Sequence, residues 1–214
     1  MDWLYLCRFQ DGMKRFLKIA LSYLVRFVQP EVKTPTIILI GDSLIKLGNW
    51  KRLLNRNDLI NRGIGGETLG QIQERMKKLR NTTARIIFIE GGINDFPQSN
   101  PENLLGLYQE IITFWESKQI IPVLTNVVYI SPEAAKKYPF RSNWRSINKQ
   151  VDELNKNLND ICIARKIDLI DLNSCLSNSI QLRDEFTTDG VHFTEAAYQI
   201  WARELRKILQ RHQI

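Results

Sequence analysis

The sequence predicts an α/β fold, a parallel sheet with helices on both faces. Short apolar runs rich in Ile, Val and Leu alternate with longer segments of helical periodicity along most of the chain. Parallel strands need crossover connections, which helices supply, so this alternation favours a parallel sheet. With 214 residues, 43% of them hydrophobic and 25% charged, the chain is typical of one soluble globular domain with a sizeable core.

Five strands and four helices follow from these patterns. The predicted strands are short, apolar and rich in β-branched residues, and they cover residues 36–40, 59–60, 85–90, 120–125 and 167–172. The predicted helices repeat apolar residues every three to four positions, and they cover residues 69–79, 101–117, 144–165 and 195–210. Pro122 is expected near the start of its strand, where its missing N–H is tolerated.

Residues 1–33 are expected to form a helical extension of a domain at residues 34–214. The stretch from 16 to 28 is apolar, but Lys18 and Arg26 interrupt it, and about 20 uncharged residues are needed to cross a bilayer. No small-residue cleavage site of a secretory signal follows. We expect an amphipathic helix that packs on the domain or forms a homo-oligomer contact; the alternative is a basic helix on an acidic membrane surface. The sequence thus favours a cytoplasmic protein, peripheral to the membrane in the second case.

The net charge of +7 is concentrated at the two ends of the chain. Residues 1–33 and residues 201–214 each contribute +3, which leaves +1 for everything between them. A nearly neutral central region argues against a nucleic-acid groove. The three cysteines show neither C-x-x-C spacing nor a paired histidine, so we expect no metal site, and their low number favours a reducing compartment.

A serine follows the first predicted strand, in the tripeptide Gly41-Asp42-Ser43. Open α/β sheets bind their ligands at the carboxyl ends of the strands. Of the two histidines, His212 lies at the C-terminus, whereas His192 follows Asp189 across a glycine. Such a turn can bring the carboxylate onto one imidazole nitrogen and leave the other facing a nucleophile. The alternative is an ordinary turn that caps the 195–210 helix.

Two further segments could stabilise an oxyanion. Residues 61–68 are glycine-rich and precede a predicted helix, so backbone N–H groups are available there. The 85–90 strand is followed by Gly-Gly-Ile-Asn94-Asp95, where an asparagine amide could donate to developing negative charge. The alternatives are a plain glycine-rich turn and a solvent-facing Asn-Asp turn. A dinucleotide fingerprint starting at Gly63 is excluded, because it would require glycine where Thr68 stands.

These four segments together resemble the SGNH, or GDSL, hydrolase superfamily, in order as well as in content. The GDS(L) block of that family matches residues 41–44, its N-x-G-I-x-G-[DE]-T block matches 61–68, its G-x-N-D block matches 92–95, and its D-x-x-H loop matches 189–192. The resemblance implies a single flavodoxin-like, three-layer α/β/α domain with a five-stranded parallel sheet.

The resemblance also implies a mechanism that needs no cofactor. Ser43 would attack an ester carbonyl, His192 would remove its proton, and Asp189 would hold the imidazole. The oxyanion would be received by the backbone N–H groups of Ser43 and Gly66 and by the side-chain amide of Asn94. Two neighbouring carboxylates, Asp42 and Asp95, are expected to order their turns rather than to react.

The substrate is expected to bind along the loop that follows the fourth strand. Tyr129, Phe140 and Trp144 could line an acyl or sugar pocket, and Arg141 could meet an anionic group together with Lys136 and Lys137; the alternative is a solvated loop whose aromatic residues anchor it to the core.

The block at residues 61–68 resembles a family branch with platelet-activating-factor acetylhydrolase-like and carbohydrate acetylesterase-like members. This favours short acyl groups, such as acetyl, on a lipid or sugar. A lysophospholipase, a thioesterase, an acyltransferase, and a catalytically silent scaffold that binds lipid, glycan or protein are the alternatives.

Overall fold

Five parallel strands form one sheet. The computed structural model describes residues 35–79, 82–96 and 98–214, and within them the strands are β1 Ile37–Gly41, β2 Leu59–Gly63, β3 Ile86–Ile89, β4 Ile121–Thr125 and β5 Asp168–Ile170. Their order is β2-β1-β3-β4-β5, and every neighbouring pair is parallel. The five-stranded parallel sheet predicted from the sequence is confirmed. The extension predicted at residues 1–33 lies outside the described residues.

The helices of the described region divide into four longer and four short ones. The longer helices coincide with those that the apolar periodicity predicts, and they are α3 Leu69–Met76, α4 Pro101–Ser117, α6 Trp144–Arg165 and α8 Glu195–Arg211. The short ones span about one turn, too little for a visible period, and they are α1 Ser43–Leu47, α2 Trp50–Leu54, α5 Glu133–Lys137 and α7 Asn173–Leu176. No helix of the described residues is long and apolar enough to cross a bilayer.

The sheet carries a hydrophobic core on each face, which gives the three-layer α/β/α arrangement. Alternate residues of β1 point to opposite faces: Ile38 packs in a core that includes residues of α4 and α6, and Leu39 packs in a core that includes residues of α8. In the second core, the rings of Trp50 and Trp201 meet edge to face with centroids 4.9 Å apart. Burial on both faces explains why the central strands are unbroken apolar runs.

The carboxyl ends of β1, β2 and β3 lie side by side. Gly41 at the end of β1 pairs with Gly63 at the end of β2, and Ile40 pairs with Ile89 at the end of β3. Because parallel strands leave a sheet at the same edge, the segments that follow them meet there although they are distant in sequence. This edge therefore brings the serine turn next to the 61–68 loop and the Asn94 segment.

Candidate active site

Ser43 is the first residue of α1 and lies just beyond the end of β1. The turn between strand and helix is held by Asp42, whose Oδ1 accepts a hydrogen bond from the Leu44 N–H at 2.9 Å. This is the N-cap interaction that an aspartate makes at a helix start. The turn leaves the serine side chain half-buried, at the edge of the sheet rather than in the core.

Ser43, His192 and Asp189 form a continuous chain of hydrogen bonds. The imidazole Nε2 of His192 lies 3.0 Å from Ser43 Oγ, and its Nδ1 lies 2.7 Å from Asp189 Oδ2. The other carboxylate oxygen accepts the His192 backbone N–H at 2.8 Å. Gly190 makes the turn possible, since its φ is +89° and a Cβ there would overlap the backbone of Ala134.

The Asp189 carboxylate is held in its ionised form. Partial burial acts to raise its pKa, but hydrogen bonds from the His192 side chain and backbone, from the Tyr138 hydroxyl and from the Val191 N–H outweigh burial and lower the pKa to about 2. A negative charge therefore stands 2.7 Å from His192 Nδ1 at neutral pH. This arrangement orients the imidazole so that Nε2 can take a proton from the serine hydroxyl.

Asn94 lies between the serine turn and the 61–68 loop. Its Nδ2 donates to Asp42 Oδ2 at 3.0 Å and to the Glu67 carbonyl at 3.1 Å, while its Oδ1 accepts from Arg141 at 3.0 Å. A flipped amide would place its oxygen against two acceptors and its NH₂ group against a cation, so the partners fix its orientation.

The 61–68 loop passes beside Ser43. A Cβ built on Gly65 would lie 3.7 Å from Ser43 Cβ. The next residue, Gly66, is exposed and has a φ of +79°, which favours glycine, and the space beside its Cα is open. The structure thus brings the loop that contains Gly66 to the same sheet edge as Ser43 and Asn94.

Behind the serine turn, two carboxyl groups are buried together. Asp42 and Glu90 are 0% and 1% exposed, and neither carboxyl oxygen of Glu90 has a hydrogen-bond partner among the described residues. Burial raises the pKa of both groups, and the charge of Asp42 raises that of Glu90 further. Burial beside Asp42 therefore favours the protonated form of Glu90. Asp95 accepts the Leu69 N–H at 2.9 Å, and burial raises its pKa to about 6.

The model of the GDSL-like lipase/acylhydrolase family matches residues 39–200. The chain belongs to this family. The matched segment starts in β1 and ends in α8, so it contains all of the sheet except the first two residues of β1, and all four segments that the sequence singles out. Membership of the GDSL acylhydrolase family therefore accounts for the α/β fold of the chain.

Two relatives and one solved structure show how this GDSL-family chain compares with known proteins. It is 25% identical to N-acylneuraminate cytidylyltransferase of Streptococcus agalactiae over 152 residues, and this match covers 67% of this chain and 34% of that protein. It is 24% identical to Platelet-activating factor acetylhydrolase IB subunit alpha2 of Rattus norvegicus over 188 residues, and this match covers 83% of this chain and 77% of that protein. A putative acylhydrolase from Bacteroides fragilis shares the fold, with a TM-score of 0.74 and 20% identity over 85% of this chain and 92% of that one. The chain thus spans about a third of the length of the cytidylyltransferase.

The four residues predicted to bind substrate occupy different environments in this GDSL-family domain. Phe140 is 57% exposed, and its ring lies 5.8 Å from that of Tyr138. Tyr129 and Trp144 are buried in the core on the α4 and α6 face, where the Tyr129 hydroxyl donates to Asp152. Arg141 is buried and contacts Asn94. Of the four, only Phe140 presents a large surface to solvent, and the two buried aromatics anchor the loop.

Three residues that contact the site lie outside the four motif segments, so no motif points to them. Tyr138 donates to Asp189 across 51 positions of sequence, at 2.7 Å, and Glu90 is an acid at the end of an apolar strand. Arg75 fixes the 61–68 loop, because its Nε donates to the Glu67 carboxylate at 3.0 Å and its Nη1 to the Arg62 carbonyl at 2.7 Å. Arg75 is the seventh residue of α3 and lies eight positions after Glu67, a spacing that belongs to no motif.

His212 and the cysteines lie apart from these contacts. His212 Nε2 is 2.6 Å from Asp168 Oδ2, next to β5. Both described cysteines are free thiols; Cys162 is buried, and Cys175 lies in α7. The described residues contain no group of three or more His, Cys, Asp or Glu side chains arranged to hold a metal ion.

Proposed function

We propose that this protein is a serine esterase that hydrolyses carboxylic esters through Ser43, His192 and Asp189. The observation that carries the proposal is the unbroken chain from Ser43 Oγ through both imidazole nitrogens to an ionised carboxylate, with separations of 3.0 and 2.7 Å. A serine hydroxyl is a weak nucleophile until an adjacent base removes its proton. The proposal therefore rests on geometry that supplies the base and the group that orients it.

The reaction would proceed through an acyl-enzyme. As Ser43 Oγ attacks the ester carbonyl carbon, its proton passes to His192 Nε2, and the imidazolium is stabilised by Asp189. Collapse of the tetrahedral intermediate breaks the bond to the alcohol oxygen, which takes the proton from Nε2 as it leaves. Water then attacks the acyl group with Nε2 as base, and the proton finally returns to Ser43.

The oxyanion would be stabilised by the backbone N–H groups of Ser43 and Gly66 and by Nδ2 of Asn94. In the present structure both hydrogens of Nδ2 have acceptors, namely Asp42 Oδ2 and the Glu67 carbonyl. We infer that the substrate oxyanion takes the place of the Glu67 carbonyl, while Asp42 keeps the amide aligned. Removing one donor of this kind typically costs about 100- to 1,000-fold in rate.

The substrate we propose is an ester of a short acyl group, such as acetyl, on a lipid or carbohydrate. One relative is named platelet-activating factor acetylhydrolase, which supports an acetyl group on a lipid. The other is named N-acylneuraminate cytidylyltransferase, which supports a carbohydrate. The site residues themselves set no chain length, since specificity depends on the surrounding loops. Long acyl chains, thioesters and acyl transfer to an acceptor alcohol would use the same nucleophile.

A panel of p-nitrophenyl esters from acetate to palmitate tests this function. We expect hydrolysis that is fastest with the shortest acyl groups and that falls by at least about 1,000-fold in Ser43→Ala. Ser117→Ala is the matched control, because Ser117 is exposed at the end of α4 and should be fully active. An undiminished Ser43→Ala variant, or a wild type inactive on every ester, contradicts the esterase; a preference for palmitate contradicts only the short-acyl substrate.

A further inference from the structure

We propose that Tyr138 and Arg141 are positioning residues that hold the two halves of the catalytic apparatus in register. They lie at the ends of a single turn, residues 138–141, that follows α5. Tyr138 contacts the acid of the hydrogen-bonded chain, and Arg141 contacts the asparagine of the oxyanion site. This inference rests on the proposed esterase function and assigns to it two residues that lie outside the four motif segments.

Arg141 fixes the Asn94 amide from behind. The residue is 3% exposed, and its guanidinium donates to Asn94 Oδ1 at 3.0 Å and to the Ile93 carbonyl at 3.3 Å. The planar fork of arginine reaches both carbonyl groups at once, which a lysine ammonium does less rigidly. With its oxygen engaged by a cation, Asn94 directs Nδ2 towards the oxyanion site, and polarisation makes Nδ2–H a stronger donor.

The burial of Arg141 is difficult to explain by stability alone. Within residues 35–79, 82–96 and 98–214 it forms no salt bridge. Burying a cation without a directly paired carboxylate is costly, and an apolar side chain of similar volume would often be more stable. The negative charges that favour its ionised form at longer range are those of Asp42 and Asp189, which belong to the site.

Tyr138 acts on the other half of the site. Its hydroxyl donates at 2.7 Å to Asp189 Oδ2, the same oxygen that lies 2.7 Å from His192 Nδ1. Burial, followed by the bond to Asp189, raises the pKa of Tyr138 to about 12, so the hydroxyl remains a donor at neutral pH. A second donor on Oδ2 limits the rotation of the carboxylate and withdraws part of its charge from the imidazole.

One short segment connects these two contacts rigidly. The Arg141 N–H donates to the Tyr138 carbonyl at 2.8 Å, and the Tyr138 N–H donates to the Ala134 carbonyl at 2.8 Å. Just before α5, the Ser131 N–H donates to the Gly190 carbonyl at 2.9 Å, in the loop between Asp189 and His192. The segment thus binds the histidine loop at one end and the asparagine loop at the other.

The test is a double-mutant cycle between Arg141 and Asn94. We expect Arg141→Met to lower kcat by about 10- to 100-fold, less than loss of the Asn94 amide itself, with KM changed less than about threefold. In an Asn94→Ala background the same substitution should cost less than about twofold, because the group it positions is gone. Arg145→Met is the matched control, since Arg145 is exposed, stacks on Trp144 and is not among the hydrogen-bond partners of the Asn94 side chain; it should retain wild-type kinetics.

Two further variants keep the proposal testable if Arg141→Met does not fold. Arg141→Lys retains the charge with a single donor group and should lose less kcat than Arg141→Met, at unchanged melting temperature. Tyr138→Phe should move the acidic limb of the kcat/KM profile to higher pH, because Asp189 without its second donor binds an imidazolium more strongly. If Tyr138 and Arg141 only stabilised the fold, their substitution would lower the melting temperature, but it would not shift the acidic limb and would not lower kcat while leaving KM unchanged.

The outcomes separate this inference from the esterase function. Equal losses from Arg141→Met in the wild-type and Asn94→Ala backgrounds, or an unshifted acidic limb in Tyr138→Phe, contradict the positioning role while wild-type activity stands. If wild type hydrolyses no ester, the same cycle is read from the rate at which a fluorophosphonate labels Ser43. That reaction needs the same base and oxyanion donors, so additivity there contradicts the positioning role as well.

Discussion

Replacing Glu90 with glutamine is expected to stabilise the fold at neutral pH. Glu90 is 1% exposed, its carboxyl oxygens lack hydrogen-bond partners among the described residues, and it lies beside the buried carboxyl of Asp42. Burial, reinforced by the charge of Asp42, raises the pKa of Glu90 well above its ordinary value. Glutamine has nearly the same shape and is neutral at every pH, so the substitution removes the ionisable group without changing the packing.

The sign and size of the effect follow from proton linkage. A glutamate whose pKa is raised in the folded state makes its full contribution to the unfolding free energy only below its pKa in the unfolded chain, near 4.5. Above that pH the unfolded chain gains from ionisation, so wild type loses about 1.4 kcal/mol of unfolding free energy per pH unit until the folded pKa is reached. Over this range the Glu90→Gln variant should therefore gain about 1.4 kcal/mol on wild type for each pH unit. Each pH unit corresponds to a melting temperature roughly 3 to 6 °C higher.

Urea unfolding of both proteins at pH 5, 6 and 7 measures the difference directly. The wild-type curve includes every other titrating group, but the difference between the two proteins isolates Glu90. Glu153→Gln is the matched control, because Glu153 is exposed on α6 and its replacement should change the unfolding free energy by less than about 0.5 kcal/mol. A difference for Glu90→Gln that is constant from pH 5 to pH 7 refutes the assignment of Glu90 as a buried neutral acid.

Two further substitutions test the histidine loop. Asp189→Asn should lower kcat by up to about 10,000-fold, because the imidazole loses the charge that stabilises its protonated form and fixes its tautomer; steady-state kinetics beside a thermal melt check this, and a loss of only a few-fold would place the acid elsewhere. Gly190→Ala should lower both stability, by more than about 2 kcal/mol, and activity, because its φ of +89° and the overlap with Ala134 strain the turn. Gly106→Ala, in α4 with open space beside it, should instead stabilise by about 0.5 to 1 kcal/mol, and equal effects of the two glycine substitutions in denaturant unfolding would contradict this account of the turn.

The fold could be predicted because its signals are local. The central strands are buried on both faces and therefore form unbroken apolar runs, and α4, α6 and α8 are long enough to show an apolar period. The one-turn helices α1 and α5 carry no such period. They form because a cap or a neighbouring loop stabilises them, as Asp42 does at the start of α1.

The candidate site likewise contains residues that local sequence patterns indicate and residues that they do not. Ser43, Asn94 and the Asp189–His192 loop each lie in a turn with a recognisable sequence, and the structure brings them together at one edge of the sheet. The sequence predicts Arg141 on the substrate side, where its charge could meet an anionic group, but in the structure the residue is 3% exposed. Its burial depends on the Asn94 carbonyl acceptor, 47 positions away, and no local pattern encodes a contact of that range.

The most direct test of the proposed serine esterase is to trap its acyl-enzyme. Rapid mixing with p-nitrophenyl acetate, acid quenching and peptide mapping by mass spectrometry locate the residue that carries the acyl group. We predict one acetyl group on the peptide that contains Ser43, and none on the corresponding peptide of Ser43→Ala. Ester hydrolysis that proceeds undiminished in Ser43→Ala, or an acetyl group that turns over on another residue, would contradict the account.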